Sequence, residues 1–202
     1  GYSHATNRGL QLSVKADVAA NDAYGASILF GELDTSTAAG GGAAIASVQT
    51  SVDNNHIGLA FMTHDSATGG DPRTEAMRIE ADGKVGIGEA SPGVELDVAG
   101  RIAIGNGTEL TIATGVITVT QSFHKVDTEG DASTDDLITI NGGVTGTILV
   151  LKSENDGRDT TLKDGSDNLR LAGDFVLTTG VNSITLMYDG SNWIELSRSD
   201  ND

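Results

Sequence analysis

Apolar and polar residues alternate along most of the chain with a period of two. The longest such run is LQLSVKADV, residues 10–18, in which every second side chain is apolar. Alternation of this kind is typical of half-buried β-strands. Shorter forms occur at residues 27–30, 57–61, 77–80, 101–104, 116–120, 137–140, 148–151, 168–171, 175–177, 184–186 and 193–196. No segment carries a sustained helical stripe, so the pattern predicts an all-β protein with short strands.

Turn signals separate these segments. Asp-Gly stands at residues 82–83, 156–157, 164–165 and 189–190, and Asn-Gly at 106–107 and 141–142. Both dipeptides tolerate the positive φ that tight hairpins demand, so we expect Asp-Gly and Asn-Gly hairpins. The Ala- and Gly-rich residues 36–47 contain three consecutive glycines, which would break a helix, and this stretch is predicted to be a loop.

One glycine pair raises the question of a phosphate-binding loop. Gly86 and Gly88 follow an apolar residue, as in a dinucleotide-binding turn, but the sixth position of that motif is Ser91 rather than glycine. Residues 94–98, VELDV, then alternate like a strand and not like the helix that such a site requires. The segment therefore predicts a strand, a turn and a strand.

The chain also shows a change of composition and a weak repeat. The content of Thr, Asp and Leu rises after Ala99 and Gly100, which places a domain boundary between residues 1–99 and 100–202. TLKDGSDNLRL (161–171) matches LMYDGSNWIEL (186–196), each an apolar strand, Asp-Gly-Ser and an alternating strand. These are predicted to be two copies of one hairpin, which are too few to establish a solenoid.

Composition and charge narrow the possible partners. Of 202 residues 38% are apolar and 4% aromatic, so the core is expected to be thin and to gain stability from subunit contacts. The net charge of −17 argues against binding to nucleic acid or to an anionic membrane surface. The chain has no cysteine, no apolar run of about 18 residues and no visible signal peptide, so neither disulfides nor membrane insertion are expected. It begins with Gly1 rather than Met, as a fragment or processed product would.

Candidate chemistry is sparse, and we expect no enzyme activity, cofactor or metal. The four histidines, His4, His56, His64 and His124, form no metal-binding pair at helical spacing. Asp127, Glu129 and Asp131 lie in an acidic run that departs from the EF-hand pattern, so a solvated turn is favoured over a weak Ca²⁺ site.

Two aromatic residues flank the last Asp-Gly pair. Tyr188 and Trp193 could stack on a glycan ring of a receptor if they are exposed, or they could fill the C-terminal core. The sequence leaves both roles open.

Several blocks resemble segments of bacteriophage tail fibres and tailspikes. They are ASILFGELD (26–34), AAIASVQTS (43–51), NNHIGLAFMTHDSATGG (54–70) and AMRIEADGKVGIGEASPGVELDVAG (76–100), the last similar to a widespread MRI…DG.VGIG…SP…LDV.G pattern. TILVLKS, TTLKDGSDNLRLAGD and ITLMYDGSNWIELSRS, all in the C-terminal half, are similar to terminal β domains of phage fibres.

The resemblance implies an elongated, intertwined homotrimer, with residues 1–99 as a shaft segment and 100–202 as a distal β-sandwich or β-roll-like domain. Its place would be the virion tail fibre, outside the cell, with other tail proteins and a host surface glycan or protein as partners. Small residues such as Gly58, Ala60 and Ala103 would allow close approach of chains near the axis. Many relatives carry a self-cleaving chaperone downstream, and none is visible here.

Two other functions stay open at this point. A tailspike depolymerase fragment would cut surface glycan with a pair of carboxylates in an aromatic-lined cleft. A bacterial surface adhesin with a prophage-like module would share the fibre-like blocks without belonging to a virion. Host attachment by a structural fibre protein is the function that the resemblance favours.

Overall fold

The computed structural model describes residues 21–30, 42–53, 55–66, 72–178 and 180–201. Within these ranges the chain is all-β, as predicted, with seventeen strands and one 3₁₀ turn. The predicted strand 10–18 and His4 lie outside the described residues. The chain divides into two compact units, residues 1–102 and 103–202, whereas the sequence placed the boundary between residues 99 and 100.

The first unit contains one six-stranded sheet in which sequence order and spatial order agree. Its strands are β1 (Tyr24–Phe30), β2 (Ala43–Gln49), β3 (Ile57–Thr63), β4 (Thr74–Ile79), β5 (Val85–Ile87) and β6 (Leu96–Val98). Neighbours are antiparallel from β1 to β5, and β6 runs parallel to β5. Because neighbours in the sheet are also neighbours along the chain, local turns are enough to build most of it.

Two predictions about this sheet have different outcomes. The strand–turn–strand prediction for the Gly86–Gly88 region is confirmed, since β5 and β6 enclose a turn in which Gly88 has φ +66°. The loop prediction for residues 36–47 was wrong for its last part, because β2 begins at Ala43. Alanine alternation in β2 fits a tightly covered sheet face, a signal that the preceding glycines obscured.

The second unit is a short β-solenoid. Its strands are β7 (Thr108–Thr111), β8 (Val116–Thr118), β9 (Phe123–Asp127), β10 (Thr134–Leu137), β11 (Thr139–Asn141), β12 (Ile148–Ser153), β13 (Asp159–Leu162), β14 (Leu169–Arg170), β15 (Phe175–Leu177), β16 (Ser183–Tyr188) and β17 (Trp193–Ser199). β7, β9 and β12 stack in parallel, and so do β8 with β11 and β10 with β13. The chain thus winds in coils, which fits the roll-like alternative and differs from an antiparallel sandwich.

Antiparallel strands close the C-terminal end of these coils. β15 pairs antiparallel with β13, and β16 pairs antiparallel with β12. β17 returns beside β16 and also lies parallel to β14. The last strands therefore reverse direction and cover the stack instead of extending it.

The Asp-Gly and Asn-Gly pairs are not all hairpins, which corrects the sequence prediction. Only the pairs at 82–83 and 189–190 join strands that are bonded to each other, β4 with β5 and β16 with β17. The pairs at 141–142, 156–157 and 164–165 lie at corners between coil faces, and the pair at 106–107 precedes β7. Gly142 (φ +91°) and Gly165 (φ +68°) show that a coil corner needs the same left-handed backbone as a hairpin.

The hydrophobic core lies in the second unit. Its cluster of fifteen buried side chains is Ile112, Ile117, Val119, Val126, Leu137, Ile140, Leu149, Leu151, Leu162, Leu169, Phe175, Leu177, Ile184, Leu186 and Trp193. The predicted strand 101–104 was wrong, because these residues pair with no strand, and Ile102 is 70% exposed. The described residues include no helix long and apolar enough to cross a membrane.

Candidate functional site

The surface that stands out in the first unit is one face of its sheet. Cross-strand partners place apolar side chains in a continuous first row, and facing residues share one side of a sheet. The first row is Ile28, Ile45, Phe61, Met77, Ile87 and Val98, one residue from each strand. A second row, from β3 to β6, is Leu59, Ile79, Val85 and Leu96. We call these ten residues the apolar face.

None of the ten side chains of the apolar face is buried. Leu59 is 45% exposed, Ile28 49% and Leu96 58%, and the six less exposed members remain half-buried. Large apolar side chains of a folded protein normally face a core. Here they form a wide sheet surface that no described residue covers.

The middle of the opposite face of the same sheet, from β2 to β5, is buried, although most of its side chains are small. Ala44, Ala46, Val48 and Ala60 are each at most 6% exposed. Gly86 lies directly under the turn that follows β5, and a Cβ there would stand 2.0 Å from the Glu89 carbonyl oxygen. The small residues thus let the chain's own turns lie flat against this face.

Gly58 and Ala60 belong to this buried face, which corrects their predicted role. A Cβ at Gly58 would stand 2.1 Å from the Ile79 carbonyl oxygen, and Ala60 has no exposed surface. Their small size serves close packing within the chain, and they are not accessible to another copy.

A buried arginine fastens the turns to the buried face. The Arg78 guanidinium donates to Glu75 Oε1 at 2.6 Å, to Asp22 Oδ1 at 2.7 Å and to the Ala90 carbonyl oxygen at 2.7 Å. Its side chain is 3% exposed, and the hydrogen bond that it donates to Glu75 raises the pKa of Arg78 above its ordinary value. Arg78 therefore stays charged and holds the start of β1 and the turn after β5 against β4.

The Glu75 carboxylate also accepts from the Tyr24 hydroxyl at 2.8 Å. Partial burial, together with this bond, raises the pKa of Tyr24. Two shallow cavities flank Arg78, of about 210 and 220 Å³. The carboxylates of Asp22, Glu75 and Glu80 that line them are already bonded to Arg78, so the cavities offer no free acid–base pair from these groups.

The structure separates the two predicted receptor contacts. Trp193 has no exposed surface, and its Nε1 donates to the Ile140 carbonyl oxygen at 2.9 Å, so its burial removes it from the candidate receptor contacts. Tyr188 is half-buried, with its ring 5.0 Å from that of Trp193 and against Gly143. The packing role that the sequence left open describes Trp193, and receptor contact by Tyr188 stays a prediction.

The three carboxylates of the weak Ca²⁺ candidate do not converge on a common point. Asp127 and Asp131 both pair with Arg158, the latter at 2.8 Å, while Glu129 accepts from the Thr114 backbone N–H at 2.9 Å. An arginine thus occupies the position where a cation would have to lie. No group of three or more His, Asp or Glu side chains suited to a metal occurs among the described residues.

The three described histidines lie on or beside strands. His56 and His64 flank β3, as predicted. His124 is fully buried, and its Nε2 accepts backbone N–H groups from Thr120 at 3.1 Å and Gln121 at 3.0 Å. Its Nδ1 lies 3.1 Å from the Thr108 carbonyl oxygen and 2.9 Å from the Thr108 hydroxyl, so contacts on both ring nitrogens fix the orientation of the imidazole.

Comparisons with known proteins add no relative. No family model matches the chain, and no curated protein matches it.

The apolar face was not predicted from the sequence. The signal was present, because β3 alternates small with large apolar residues, but alternation alone does not say which face meets water.

Proposed function

We propose that this chain is a structural segment of a bacteriophage tail fibre, which assembles as a homotrimer and mediates attachment to the host cell surface. Its place would be the virion, outside the cell, where it would contact other tail proteins and a surface glycan or protein of the host. The proposal combines the resemblance of the sequence blocks with one structural observation, the uncovered apolar face.

The size of the uncovered surface supports assembly from copies. Ile28, Phe30, Ile57, Leu59, Ile87 and Leu96 are 43–58% exposed. Together they leave about 600 Å² of side chain in water, taking about 200 Å² for a fully exposed large residue. That is at the upper end for a patch on a monomer and near the roughly 800 Å² that each partner contributes to a stable interface. The half-buried members of the apolar face add to it.

The distribution of charge favours contact between copies through the apolar face. A net charge of −17 repels like-charged molecules and nucleic acid, so contact with another copy must concentrate where charge is absent. All ten residues of the apolar face are uncharged, whereas the acidic residues that the chain carries lie elsewhere. Burial of this face would offset the general repulsion.

The mass of the purified chain in solution tests the assembly. Light scattering should give three times the chain mass of 20.7 kDa, and Leu59→Lys, which places a charge in the apolar face, should reduce it to the monomer. Val144→Lys is the matched control, since Val144 is 72% exposed in the second unit and should leave the trimer intact. A monomeric unaltered chain at micromolar concentration would contradict the proposal.

Attachment and the absence of catalysis need separate measurements. The labelled trimer should bind intact cells of at least one strain in a bacterial panel, and the Leu59→Lys monomer should lose the gain that trivalent contact gives. Incubation with surface polysaccharide should release no reducing ends. Release of reducing ends would instead favour the depolymerase alternative.

A further inference from the structure

Among the described residues, the first sheet has two free edges, and both are apolar. β1 ends the sheet on one side, with Ile28 49%, Leu29 56% and Phe30 52% exposed. β6 ends it on the other side, with Leu96 58% exposed and Val94 beside it at 55%. An edge strand presents a row of backbone N–H and C=O groups that can pair with another chain.

Charge and proline give these edges little protection against such pairing. β1 reads YGASILF, with no charged residue and no proline, although its register with β2 shifts between Tyr24 and Ser27. β6 has three residues, and its one charge, Asp97, faces Gly86 on the side opposite the apolar face. Natural sheets that must stay single often place lysine or proline on such strands.

The apolar rows run to the edges themselves. The first row begins with Ile28 on β1 and ends with Val98 on β6, and the second row ends with Leu96. If copies contacted each other only through the middle of the sheet face, apolar residues on both edge strands would not be needed. The apolar edge strands therefore point to contacts that continue the rows from one copy into the next.

A contact between two different edges is heterologous, and such contacts form a ring when the rotation between successive copies closes. Pairing of β1 with β1 would satisfy one edge by two-fold symmetry and leave β6 open. Pairing of β1 with β6 removes both edges from every copy at once.

We propose that β1 of one copy pairs with β6 of the next, so that the row from Ile28 to Val98 continues around the assembly. This inference rests on the proposed trimer and names the strands by which its copies meet. The partner is a further copy of this chain, and the site is the pair of free sheet edges.

Cross-linking between engineered cysteines tests the pairing directly, because the chain contains no cysteine. In the double variant Ile28→Cys/Val98→Cys, a short bifunctional maleimide should yield covalent trimers on a denaturing gel. Each single variant should remain monomeric on that gel. The control pair Val52→Cys/Val98→Cys, with Val52 90% exposed outside the strands, should not cross-link.

The outcomes are distinguishable. Trimers by light scattering without cross-links in the double variant would overturn the edge pairing and leave the proposed function standing. Cross-linked dimers from Ile28→Cys alone would show β1 paired with β1 and would also overturn it. A monomer in every variant and in the unaltered chain would remove both proposals.

A second variant needs no cysteine chemistry. Leu29→Lys places a charge on β1 but outside the two rows of the apolar face. It should weaken association at least tenfold if β1 is an interface strand. Unchanged association, with Val52→Lys as the reference, would contradict the inference.

Discussion

The two units place their large apolar side chains in opposite ways. In the second unit, coils of parallel strands enclose fifteen of them in one interior. In the first unit, the interior side of the sheet holds alanines, glycines and an arginine, and the large side chains face outward. Of the exposed large hydrophobic residues that the structure describes, eleven of eighteen lie in the first unit.

This difference teaches that, in the proposed assembly, folding and association would be assigned to separate parts of one chain. The second unit has a closed core of the kind that stabilises an isolated domain. The first unit is held by hydrogen bonds and a buried guanidinium, and its apolar face stays uncovered by the described residues. Leucine side chains are accordingly buried in the core of one unit and exposed on the sheet of the other, where the proposed assembly would use them.

The largest expected effect concerns the polar anchor of the first unit. Arg78→Met should destabilise that unit by about 3–5 kcal/mol, because it leaves the carboxylates of Glu75 and Asp22 without their partner. The single tryptophan, Trp193, lies in the second unit, so its fluorescence reports only the other transition. Circular dichroism in urea should show the loss, while the fluorescence midpoint stays unchanged.

Lys84→Met is the control for this experiment. Lys84 also pairs with a carboxylate, that of Asp82, but its side chain is 35% exposed. Its replacement should change stability by less than about 1 kcal/mol. Equal losses of stability for the two variants would mean that the burial of Arg78 adds nothing to the strength of its ion pairs.

A matched pair of leucines addresses the comparison next. Leu151→Ala should cost about 3 kcal/mol of unfolding free energy in the second unit, where the side chain is fully buried, with no change in molecular mass. Leu59→Ala, at 45% exposure, should cost a monomer less than about 1 kcal/mol and should raise the concentration needed for assembly. Urea titration and light scattering on both variants separate the two effects. Weaker assembly of Leu151→Ala together with a large loss of stability in Leu59→Ala would contradict the comparison.

Two glycines of the second unit separate two costs of adding a Cβ atom. One cost is a close contact at a coil corner, and the other is the strain of a positive φ. Gly142→Ala should cost about 2 kcal/mol or more, because φ is +91° and a Cβ would stand 2.2 Å from the Val119 carbonyl oxygen. Gly146→Ala has a similar φ of +89° and open space, so strain alone should cost about 1 kcal/mol. Fluorescence-detected unfolding of the two variants measures the difference. Equal losses would assign the whole effect to φ.

The smallest effect is a pH dependence in the second unit. The hydrogen bond from Arg198 lowers the pKa of Glu195 below its ordinary value of 4.5. A lowered carboxylate pKa stabilises the fold above that ordinary value, and this contribution disappears as pH falls through the lowered pKa. Glu195→Gln should therefore lose about 1 kcal/mol or less at neutral pH, and the difference from the unaltered chain should vanish in strong acid. A difference that persists at low pH would assign the loss to packing.

The sequence predicts much of this fold and little of its pairing. Alternation predicts the strands, because side chains on a pleated strand point to opposite faces in turn. It does not predict which strand pairs with which, since parallel coils bring together β10 and β13, or β9 and β12, across long stretches of chain. The same pattern fits a hairpin and a solenoid.

The internal repeat shows this limit most clearly. Asp164-Gly165 and Asp189-Gly190 stand in nearly the same sequence context, and both glycines have positive φ. The second joins β16 and β17 into a hairpin, whereas the first joins β13 and β14, which pair with other strands. Local chemistry fixed the backbone at each turn, and distant contacts decided its use.

The candidate site residues show the same limit of sequence-based prediction. Burial of Trp193 depends on the Ile140 carbonyl oxygen, 53 residues away, which no local pattern reveals. Arg158 reaches Asp127 and Asp131 from the next coil, so an acidic run that reads as a cation site already has its counter-charge. In both cases a residue distant in the sequence determined the environment.

The reversal at β15 limits how the coil stack can lengthen during evolution. β15 lies antiparallel beside β13, and β16 lies antiparallel beside β12, so the outer edges of these two coil strands are already occupied. A further coil added after β17 would therefore have neither strand available for parallel pairing. Duplication of a whole winding would be tolerated only ahead of Phe175. Longer descendants of this unit would therefore share its carboxyl-terminal lid and differ in the number of windings beneath it.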